Sequence, residues 1–552
     1  MTTRSPQTKL DDATARKKLL SLLDSLHSRR DFLKIMGMGL GYSALATTLP
    51  ACSSGGNNGN SGVGTPAPSD PALPAASQEY AILKRTSFGV HRDALSAAQS
   101  MGIDAYLENQ LNYQTIDDGD LESTLATLFP NTTQSPEQLI AGFPDNAGIV
   151  AQQMAMASQY RQIFSQRQLY EVMVEFWSEH FNIHLLNGLG PTLKPEDDRQ
   201  VIRAHALGNF RDLLGASAHS PSMLFYLDNF YNLASAPNEN YARELMELHT
   251  LGVDGGYTEE DVKEVARCFT GWSIRFPGDA SGEYGTFKFV PLVHDNNAKV
   301  VLGNTIAAGG GENDAEQVLD ILATHPSTAR FIATKLCRRF ISDTPDTATI
   351  DTVAAAFTAY NGDIKNTLRA LFATPAFRDT QDLKFCRPTE FLAGMIRALA
   401  PDTTFPTDNG QLFFFAQSLL GQLPFFWPTP DGYPDTQDYW ANTGGLLNRW
   451  RLSFLSYAPN IPAIDVLDID YASLLNGANT ITAIVDAMAD NILMRPLLPE
   501  DRAILIDWLL TLANPGGNNN VGANDILPPD VPEQAAPGVA AILISSAYFQ
   551  LR

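Results

Sequence analysis

Two histidines four residues apart are the first feature of this sequence that could bind a metal. His180 and His184 lie in V-E-F-W-S-E-H-F-N-I-H, where apolar residues have helical spacing. Positions i and i+4 share one helix face, so both imidazoles could contact one divalent transition metal. The same face carries Phe176, which is also typical of a core histidine bonded to a backbone carbonyl, and both interpretations stay open. Beside it runs a glutamate row that is typical of a solvated face: Glu171, Glu175 and Glu179.

A carboxylate on an apolar helix face is the second feature. Residues 240–251 predict a helix that ends at Gly252, and Glu244 lies on its apolar face. A buried carboxylate needs a cationic partner, a proton or a metal ion. Glu244 is therefore either a functional carboxylate or the partner of a structural arginine, such as Arg203 or Arg267.

Two further segments combine polar and aromatic residues. Residues 286–290 predict a strand, with 299–302 as its partner in a small hairpin. His294 and Asp295 then lie in the hairpin loop, where an imidazole and a carboxylate could form a pair. The segment W-P-T-P-D-G-Y-P-D begins at Trp427, whose ring could either stack on a sugar or fill the edge of a core.

These patterns together predict a hydrolytic site that uses a divalent transition metal. Imidazoles and a carboxylate would hold the metal, and another carboxylate would act as general base on a metal-bound water. The four candidate ligands, followed by the two candidate bases, are His180, His184, Glu244, His294, Glu247 and Asp295.

The elements that must position these side chains are helical. Apolar residues recur at three-to-four spacing through most of the chain after residue 79, and the strand signals are confined to the short hairpin. We therefore predict a mainly α protein, with a large multi-helix domain over residues 79–400 and a small β-hairpin insertion. Residues 401–552 form a C-terminal helical region that is expected to pack on this domain.

The N-terminal sequence has the features of an export signal. S-R-R-D-F-L-K precedes an uncharged stretch and then L-P-A-C, which ends at Cys52. The arginine pair indicates twin-arginine export, and L-P-A-C resembles a lipobox in which Cys52 is lipidated. Ordinary cleavage near Ala51 is the alternative. We predict residues 1–52 as the signal, residues 53–78 as a Ser/Gly/Asn/Pro-rich tether, and a lipid-anchored location in the periplasm or at the outer membrane or cell surface.

Charge and cysteine content exclude several classes of protein. The net charge is −23 at pH 7, which argues against nucleic-acid binding because that requires Lys and Arg to neutralise phosphates. After residue 49 no stretch is long and apolar enough to span a membrane, so a lipid anchor is the expected membrane attachment. Cys268, Cys337 and Cys386 do not have the spacing of a metal or haem site.

Six longer motifs follow one another between about residue 80 and the C-terminal end. They are H-A-L-G-N-F-R-D-L-L, Y-L-D-N, N-E-N-Y-A-R-E-L-M-E-L-H-T-L-G-V-D-G-G-Y-T, F-T-G-W, H-P-S-T-A-R-F-I-A-T-K-L-C-R-R-F and T-G-G-L-L-N-R-W. In sequence and spacing they resemble the bacterial family called domain of unknown function 1800. The resemblance implies export, and it implies a partner from the family called domain of unknown function 1501, whose genes are often neighbours. It implies no reaction.

The resemblance also indicates positions to test. Family members commonly have F-W-H-x-H-F where this chain has F-W-S-E-H-F, so Ser178 replaces one histidine of that pair. This replacement weakens any metal site at the motif. The polar motif residues that become candidates for binding are Asp228, Asn229, Asn238 and Asn240.

Two classes of function follow from the sequence. The first is an exported, metal-dependent hydrolase that acts on an envelope or extracellular polymer such as a polysaccharide, with an acidic cleft beside Trp427. The second is a non-catalytic envelope lipoprotein that binds or assembles a partner protein or a polysaccharide. In that case the polar motif residues only hold helix ends and loops together.

Overall fold

The computed structural model describes residues 72–143, 147–279, 281, 283–400, 410–455, 469–514 and 521–552. The predicted export signal and Cys52 lie outside the described residues, as does most of the predicted tether. The predicted domain boundary after residue 400 also lies outside them. Export, lipidation and the division into two regions therefore stay predictions.

α-Helices make up most of the described chain, as the apolar spacing predicts. The helices before residue 230 are α1 (Gln78–Thr86), α2 (Arg92–Met101), α3 (Ile103–Leu111), α4 (Gly119–Leu128), α5 (Pro136–Gly142), α6 (Gly148–Phe164), α7 (Gln168–His180), α8 (Gly190–Asp197), α9 (Phe210–His219) and α10 (Pro221–Tyr226). Those up to residue 400 are α11 (Asn240–Glu244), α12 (Glu259–Cys268), α13 (Asn313–Thr324), α14 (Pro326–Phe340), α15 (Thr347–Ala359), α16 (Ile364–Phe372), α17 (Pro375–Arg378) and α18 (Pro388–Leu399).

The C-terminal region continues this pattern. Its helices are α19 (Gly410–Leu420), α20 (Gln437–Trp440), α21 (Thr443–Leu455), α22 (Tyr471–Leu475), α23 (Ile481–Ile492), α24 (Pro499–Ala513), α25 (Val531–Ser545) and α26 (Ala547–Gln550). One hydrophobic cluster includes buried side chains from Tyr80 to Phe549, so both regions contribute to the same core. No helix among the described residues is long and apolar enough to cross a membrane.

Two helical segments are wound more widely than an α-helix. Asp198–Arg203 follows α8 as a π-helix, and Leu245–Thr250 follows α11 in the same way. π-Helical turns are rare in proteins, and those that occur often lie at functional sites. The second one carries His249 and ends before Gly252, whose φ of 82° suits a glycine and confirms the predicted helix stop.

The small β insertion is present, but its predicted pairing is wrong. Strand β1 (Trp272–Ile274) pairs antiparallel with β2 (Phe287–Phe289), and β3 (Lys299–Val301) pairs with β4 (Asn304–Ile306). Each strand pairs with a short neighbouring segment that carried no strong strand signal. His294 consequently lies between two separate hairpins rather than in the turn of one.

Candidate active site

His180 lies at the last residue of α7 and is 1% exposed. Its Nε2 is 3.0 Å from the carbonyl oxygen of His249, and its Nδ1 is 2.9 Å from Nζ of Lys335. A carbonyl can only accept a hydrogen bond, so Nε2 carries the hydrogen and Nδ1 accepts one from Lys335. Burial, then Lys335 and His249, lower the pKa of His180 well below its usual value, so the imidazole is neutral.

Lys335 lies on α14 and is half-buried, with Nζ directed to His180. Burial lowers the pKa of Lys335 to about 8, although acidic neighbours oppose the shift. Of the four other buried lysines of the described chain, Lys84 donates to a backbone oxygen, and Lys194, Lys299 and Lys384 each have a carboxylate oxygen 2.5 to 2.8 Å from Nζ. Lys335 makes no such ion pair with the residues described here, which explains why burial dominates its pKa.

Glu179 precedes His180 and is covered by the loop of residues 427–435. Its Oε2 accepts a hydrogen bond of 2.6 Å from the backbone N–H of Tyr433. A Cβ at Gly432 would lie 2.2 Å from the backbone oxygen of Glu179, so only glycine allows the loop to approach this closely. Burial, with repulsion from Glu175, raises the pKa of Glu179 to about 7.

His249 connects the π-helix to this site through its backbone. Its side chain is 1% exposed, and burial lowers its pKa to about 3. Within the described chain its Nε2 has no hydrogen-bond partner, although the ring lies 6.1 Å from that of His180. The π-helical turn therefore aims a carbonyl oxygen at His180 and leaves a buried ring nitrogen unsatisfied.

The loop of residues 427–435 is fixed above the end of α7. Asn182 Nδ2 donates to the backbone oxygens of Trp427 and Thr429 at 3.0 and 2.6 Å. Trp427 Nε1 donates to Asp431, and its ring lies 5.9 Å from that of Tyr439, which is 42% exposed. Aromatic side chains thus lie beside the Asp431 carboxylate in this loop.

Glu244 belongs to the same side of the molecule. Burial raises its pKa, followed by repulsion from Glu247 and Asp431, so the loop and α11 bring their carboxylates near each other. Neither suggested arginine neutralises Glu244, because Arg203 pairs with Glu171 and Asp198, and Arg267 pairs with Glu264 and Asp295. Glu247, the other carboxylate of this segment, has a side-chain partner, because its Oε2 accepts a 3.4 Å hydrogen bond from the hydroxyl of Tyr257.

His294 and Asp295 lie in a separate polar cluster. His294 Nε2 is 3.1 Å from Asp314 Oδ2, and Lys299 Nζ is 2.6 Å from the same oxygen. The side chains of His294, Asp314 and Lys299 are fully buried. Asp295 pairs with Arg267 instead, so the expected His294–Asp295 pair is not formed. The contact with Arg267, together with backbone and side-chain hydrogen bonds from Asn297, lowers the pKa of Asp295 to about 2.

The predicted metal ligands do not form one cluster. No group of three or more His, Cys, Asp or Glu side chains in the described ranges could hold a metal ion. His180 uses both ring nitrogens in hydrogen bonds, and the Nδ1 of His184 is buried without a partner within those ranges. The contacts of His294 are confined to the other polar cluster, so the structure gives no support to a shared metal.

The four polar motif residues hold loops together. Asn229 Nδ2 donates to the backbone oxygens of Phe269 and Trp272, and Asn240 Nδ2 donates to that of Leu227. Asn238 Nδ2 donates to the backbone oxygen of Asp228, whose φ is 62°. These contacts fix the chain between α10 and α11 and supply a structural reason for the motif, while binding by these residues stays a prediction.

Sequence reasoning missed the central residues of this site. Lys335 lies inside the motif H-P-S-T-A-R-F-I-A-T-K, but nothing in helical spacing distinguishes it from a surface lysine. The expectation of a solvated glutamate row was wrong, because Glu171 pairs with Arg203 and Glu175 with buried Arg339 and Arg387. Nearly every residue of α7 is buried, which leaves no solvated face for the row.

Comparison with known proteins gives one match. The model of the family described as "Protein of unknown function (DUF1800)" matches residues 81–551. Neither the curated proteins nor the solved structures include a significant match to this chain.

Proposed function

Because the chain belongs to the DUF1800 family of proteins of unknown function, we propose its function from the chemistry of its own residues. It is an exported envelope enzyme that hydrolyses a polymer by general acid–base chemistry in a proposed cleft where α7, α14 and the loop of residues 427–435 meet. The observation that carries this proposal is the hydrogen bond from Lys335 Nζ to a neutral His180 with a fixed tautomer.

The acid–base role is supported by two groups that titrate near neutral pH. Burial brings the pKa of Lys335 down to about 8 and the pKa of Glu179 up to about 7. Proton transfer is most effective when the pKa of the catalytic group is near the working pH. Catalytic acids and bases need a pKa matched to their task, so a lysine and a glutamate that both titrate near neutral pH on neighbouring elements support an acid–base role.

The geometry suggests a role for each group. Glu179 accepts the Tyr433 N–H at Oε2, which leaves Oε1 to carry the proton that a leaving oxygen requires. Neutral Lys335 takes a proton from the attacking water, and His180 Nδ1 holds the amine in place. His249 is a positioning residue, because its backbone oxygen fixes the imidazole. No step requires a metal, which replaces the metal-dependent form of the hypothesis.

The surroundings of the cleft favour a neutral or cationic polymer such as a polysaccharide. Asp431 and Asp435 add negative charge beside Lys335, Glu244 lies near Asp431, and the whole chain has a net charge of −23. Trp427 and Tyr439 offer aromatic faces at the entrance, where sugar rings can stack. Acidic residues would repel an anionic polymer, including nucleic acid.

The cell envelope is the proposed location. S-R-R-D-F-L-K supports twin-arginine export, and L-P-A-C supports a lipid anchor at Cys52. An export test is direct, since Arg29→Lys with Arg30→Lys is expected to retain precursor in the cytoplasm, and Cys52→Ser is expected to release the protein from membranes. A partner from the domain of unknown function 1501 family rests on the sequence resemblance and is part of this proposal.

A non-catalytic binding protein is the second candidate. It is favoured by the loop contacts of Asn229, Asn238 and Asn240, which give these polar motif residues a structural role. In that case the cleft would bind a polysaccharide or partner without changing it. Loss of binding without any product would then be the outcome for variants of the cleft.

Activity on a panel of envelope polymers tests the enzyme proposal. Wild-type protein is incubated with peptidoglycan, chitin, chitosan and a neutral glucan, and released fragments are measured. Lys335→Met and Glu179→Gln are each expected to lower the rate by about 100-fold, the usual contribution of one acid–base group. Lys263→Met, which removes a surface lysine paired with Glu260, is the control. Full activity in Lys335→Met would contradict the proposal.

A further inference from the structure

We propose, building on the proposed function, that Lys335 is also a nucleophile whose Nζ forms an imine with an aldehyde or ketone carbonyl entering the cleft. Three observations support this role. Nζ touches a neutral imidazole nitrogen at 2.9 Å, the amine lacks a carboxylate partner within the described chain, and the side chain is only half-buried. An amine with these properties is both reachable and available to react.

Other lysines of the described chain do not share this combination. Lys194 and Lys299 have fully buried side chains and are paired with Asp197 and Asp314. Lys84 is buried and donates to the backbone oxygen of Tyr548. Lys263 is exposed, but it is paired with a carboxylate and has no neighbouring imidazole to accept a proton. A reactive amine is therefore expected at Lys335 in particular.

The charges around Lys335 leave the amine neutral in part of the population at neutral pH. Burial lowers the pKa of Lys335 to about 8 from its ordinary 10.5, which gives a neutral fraction at pH 7 about 300-fold larger than that of an ordinary lysine. The groups that face it from the neighbouring elements are Glu179, His180, His249, Arg338, Asp431 and Asp435. The carboxylates among these groups partly oppose the lowering of the Lys335 pKa, and they also attract a protonated imine.

The covalent step balances with residues of the site. The lone pair of Lys335 Nζ attacks the carbonyl carbon, a C–N bond forms, and the carbonyl oxygen becomes a hydroxyl as Nζ gives up a proton through His180 Nδ1. Glu179 then protonates this hydroxyl, which leaves as water while the C=N bond forms, and the nitrogen returns its remaining proton to the Glu179 carboxylate. The sum is carbonyl plus amine giving imine plus water, and no oxidant or reductant takes part.

The ligand class is a small aldehyde or ketone, including the open-chain end of a sugar. Such a carbonyl is uncharged, which suits a cleft with acidic residues at its entrance. Hydroxyl groups next to the carbonyl could donate hydrogen bonds to Asp431, and a sugar ring could stack on Trp427. A reducing sugar end would link this step to the polymer of the proposed function.

Reductive trapping tests the nucleophile. The full chain is incubated with glyceraldehyde and sodium cyanoborohydride at pH 7, and adducts are located by peptide mass mapping. Adduct formation at Lys335 is expected to be at least about tenfold faster than at Lys263, and its rate is expected to rise toward a plateau above pH 8, near the pKa of the amine. Lys335→Arg keeps the charge but cannot form the imine, so it is expected to show labelling at surface lysines alone.

Two outcomes would overturn a nucleophilic Lys335. One is labelling spread evenly over exposed lysines with Lys335 unmodified in folded wild-type protein. The other is a Lys335 adduct whose rate shows no plateau above pH 8 and still rises toward the ordinary lysine pKa of 10.5. If Lys335 is not trapped but Lys335→Met still loses activity on the polymer panel, the imine is excluded and the acid–base function stands. If Lys335 is trapped and the panel shows no activity, the amine chemistry stands and the hydrolase does not.

Discussion

Two parts of this molecule bring a lysine and a histidine together, and they do so with opposite consequences. In one, Asp314 lies between His294 and Lys299 and contacts both, with all three side chains buried. In the other, His180 and Lys335 contact each other directly without a carboxylate between them. The comparison indicates that the third group decides the chemistry: a carboxylate fixes the lysine as an ion pair, and its absence leaves an amine that can exchange a proton.

The largest expected difference concerns stability. Lys299→Met leaves Asp314 buried without its strongest cationic partner, which is expected to lower the free energy of unfolding by about 3 kcal/mol. Lys335→Met removes a partly buried charge but leaves His180 Nδ1 without a donor, so we expect a change within about 1 kcal/mol. Urea denaturation at pH 7 measures both. Equal losses in the two variants would mean that both lysines are structural.

The next difference concerns pH. A folded lysine whose pKa of about 8 lies below the ordinary 10.5 binds fewer protons than the unfolded chain between these values. The contribution of Lys335 to the free energy of unfolding therefore rises as pH increases through this window. The difference in unfolding free energy between wild type and Lys335→Met is expected to grow from pH 8 to pH 9.5. A difference that stays constant would show that Lys335 titrates like an ordinary lysine.

A carboxylate introduced beside Lys335 should make the His180–Lys335 site resemble the site of His294, Asp314 and Lys299. Arg338 lies one helical turn after Lys335 and lowers its pKa by repulsion. Arg338→Glu replaces this repulsion with attraction, so a rise in the pKa by one unit would slow cyanoborohydride trapping at pH 7 by about tenfold. Arg330→Glu makes the same charge change at an exposed position of the same helix, one and a half turns before Lys335, and serves as the control. Equal trapping in both variants would argue against electrostatic control of the amine.

The helices could be predicted from the sequence, whereas the partners of the two histidines could not. Helical spacing predicted most helices, and the predicted helix stop at Gly252 is confirmed. The partner of each histidine was out of reach, because Lys335 and His180 are 155 residues apart and Asp314 follows His294 by 20. Spacing identifies residues that share a helix face. It does not identify the residues that another helix brings to that face.

The same limit explains the results for carboxylates. Glu244 was recognised because it interrupts an apolar face. It is half-buried, and neither of the arginines suggested as its partner, Arg203 and Arg267, pairs with it. Glu179 was not recognised, because the loop that covers it comes from residues 427–435, far along the chain. Burial by a distant loop leaves no periodic signal in the local sequence.

The smallest expected effect concerns the loop of residues 427–435, which covers Glu179. Asn182→Ala removes two hydrogen bonds that hold the loop over Glu179, which is expected to cost about 1 kcal/mol of stability. The released loop should raise the KM for a polymer more than it lowers kcat, and should lower the pKa of Glu179 as water enters. Asn112→Ala, on an exposed helix end bonded to Glu108, is a control of similar chemistry. An unchanged KM would show that the loop does not shape the site.

Direct titration of the lysine side chains provides the sharpest test of an unpaired, reactive amine. The protein is prepared with ε-¹³C-lysine, and the ε-carbon shifts are followed by NMR from pH 6 to pH 11, with Lys335→Arg used to assign the signal. Lys335 is expected to titrate with a midpoint near 8, well below the ordinary lysine value of 10.5. A Lys335 midpoint close to 10.5 would contradict the contrast between the two histidine–lysine sites and the chemistry built on it.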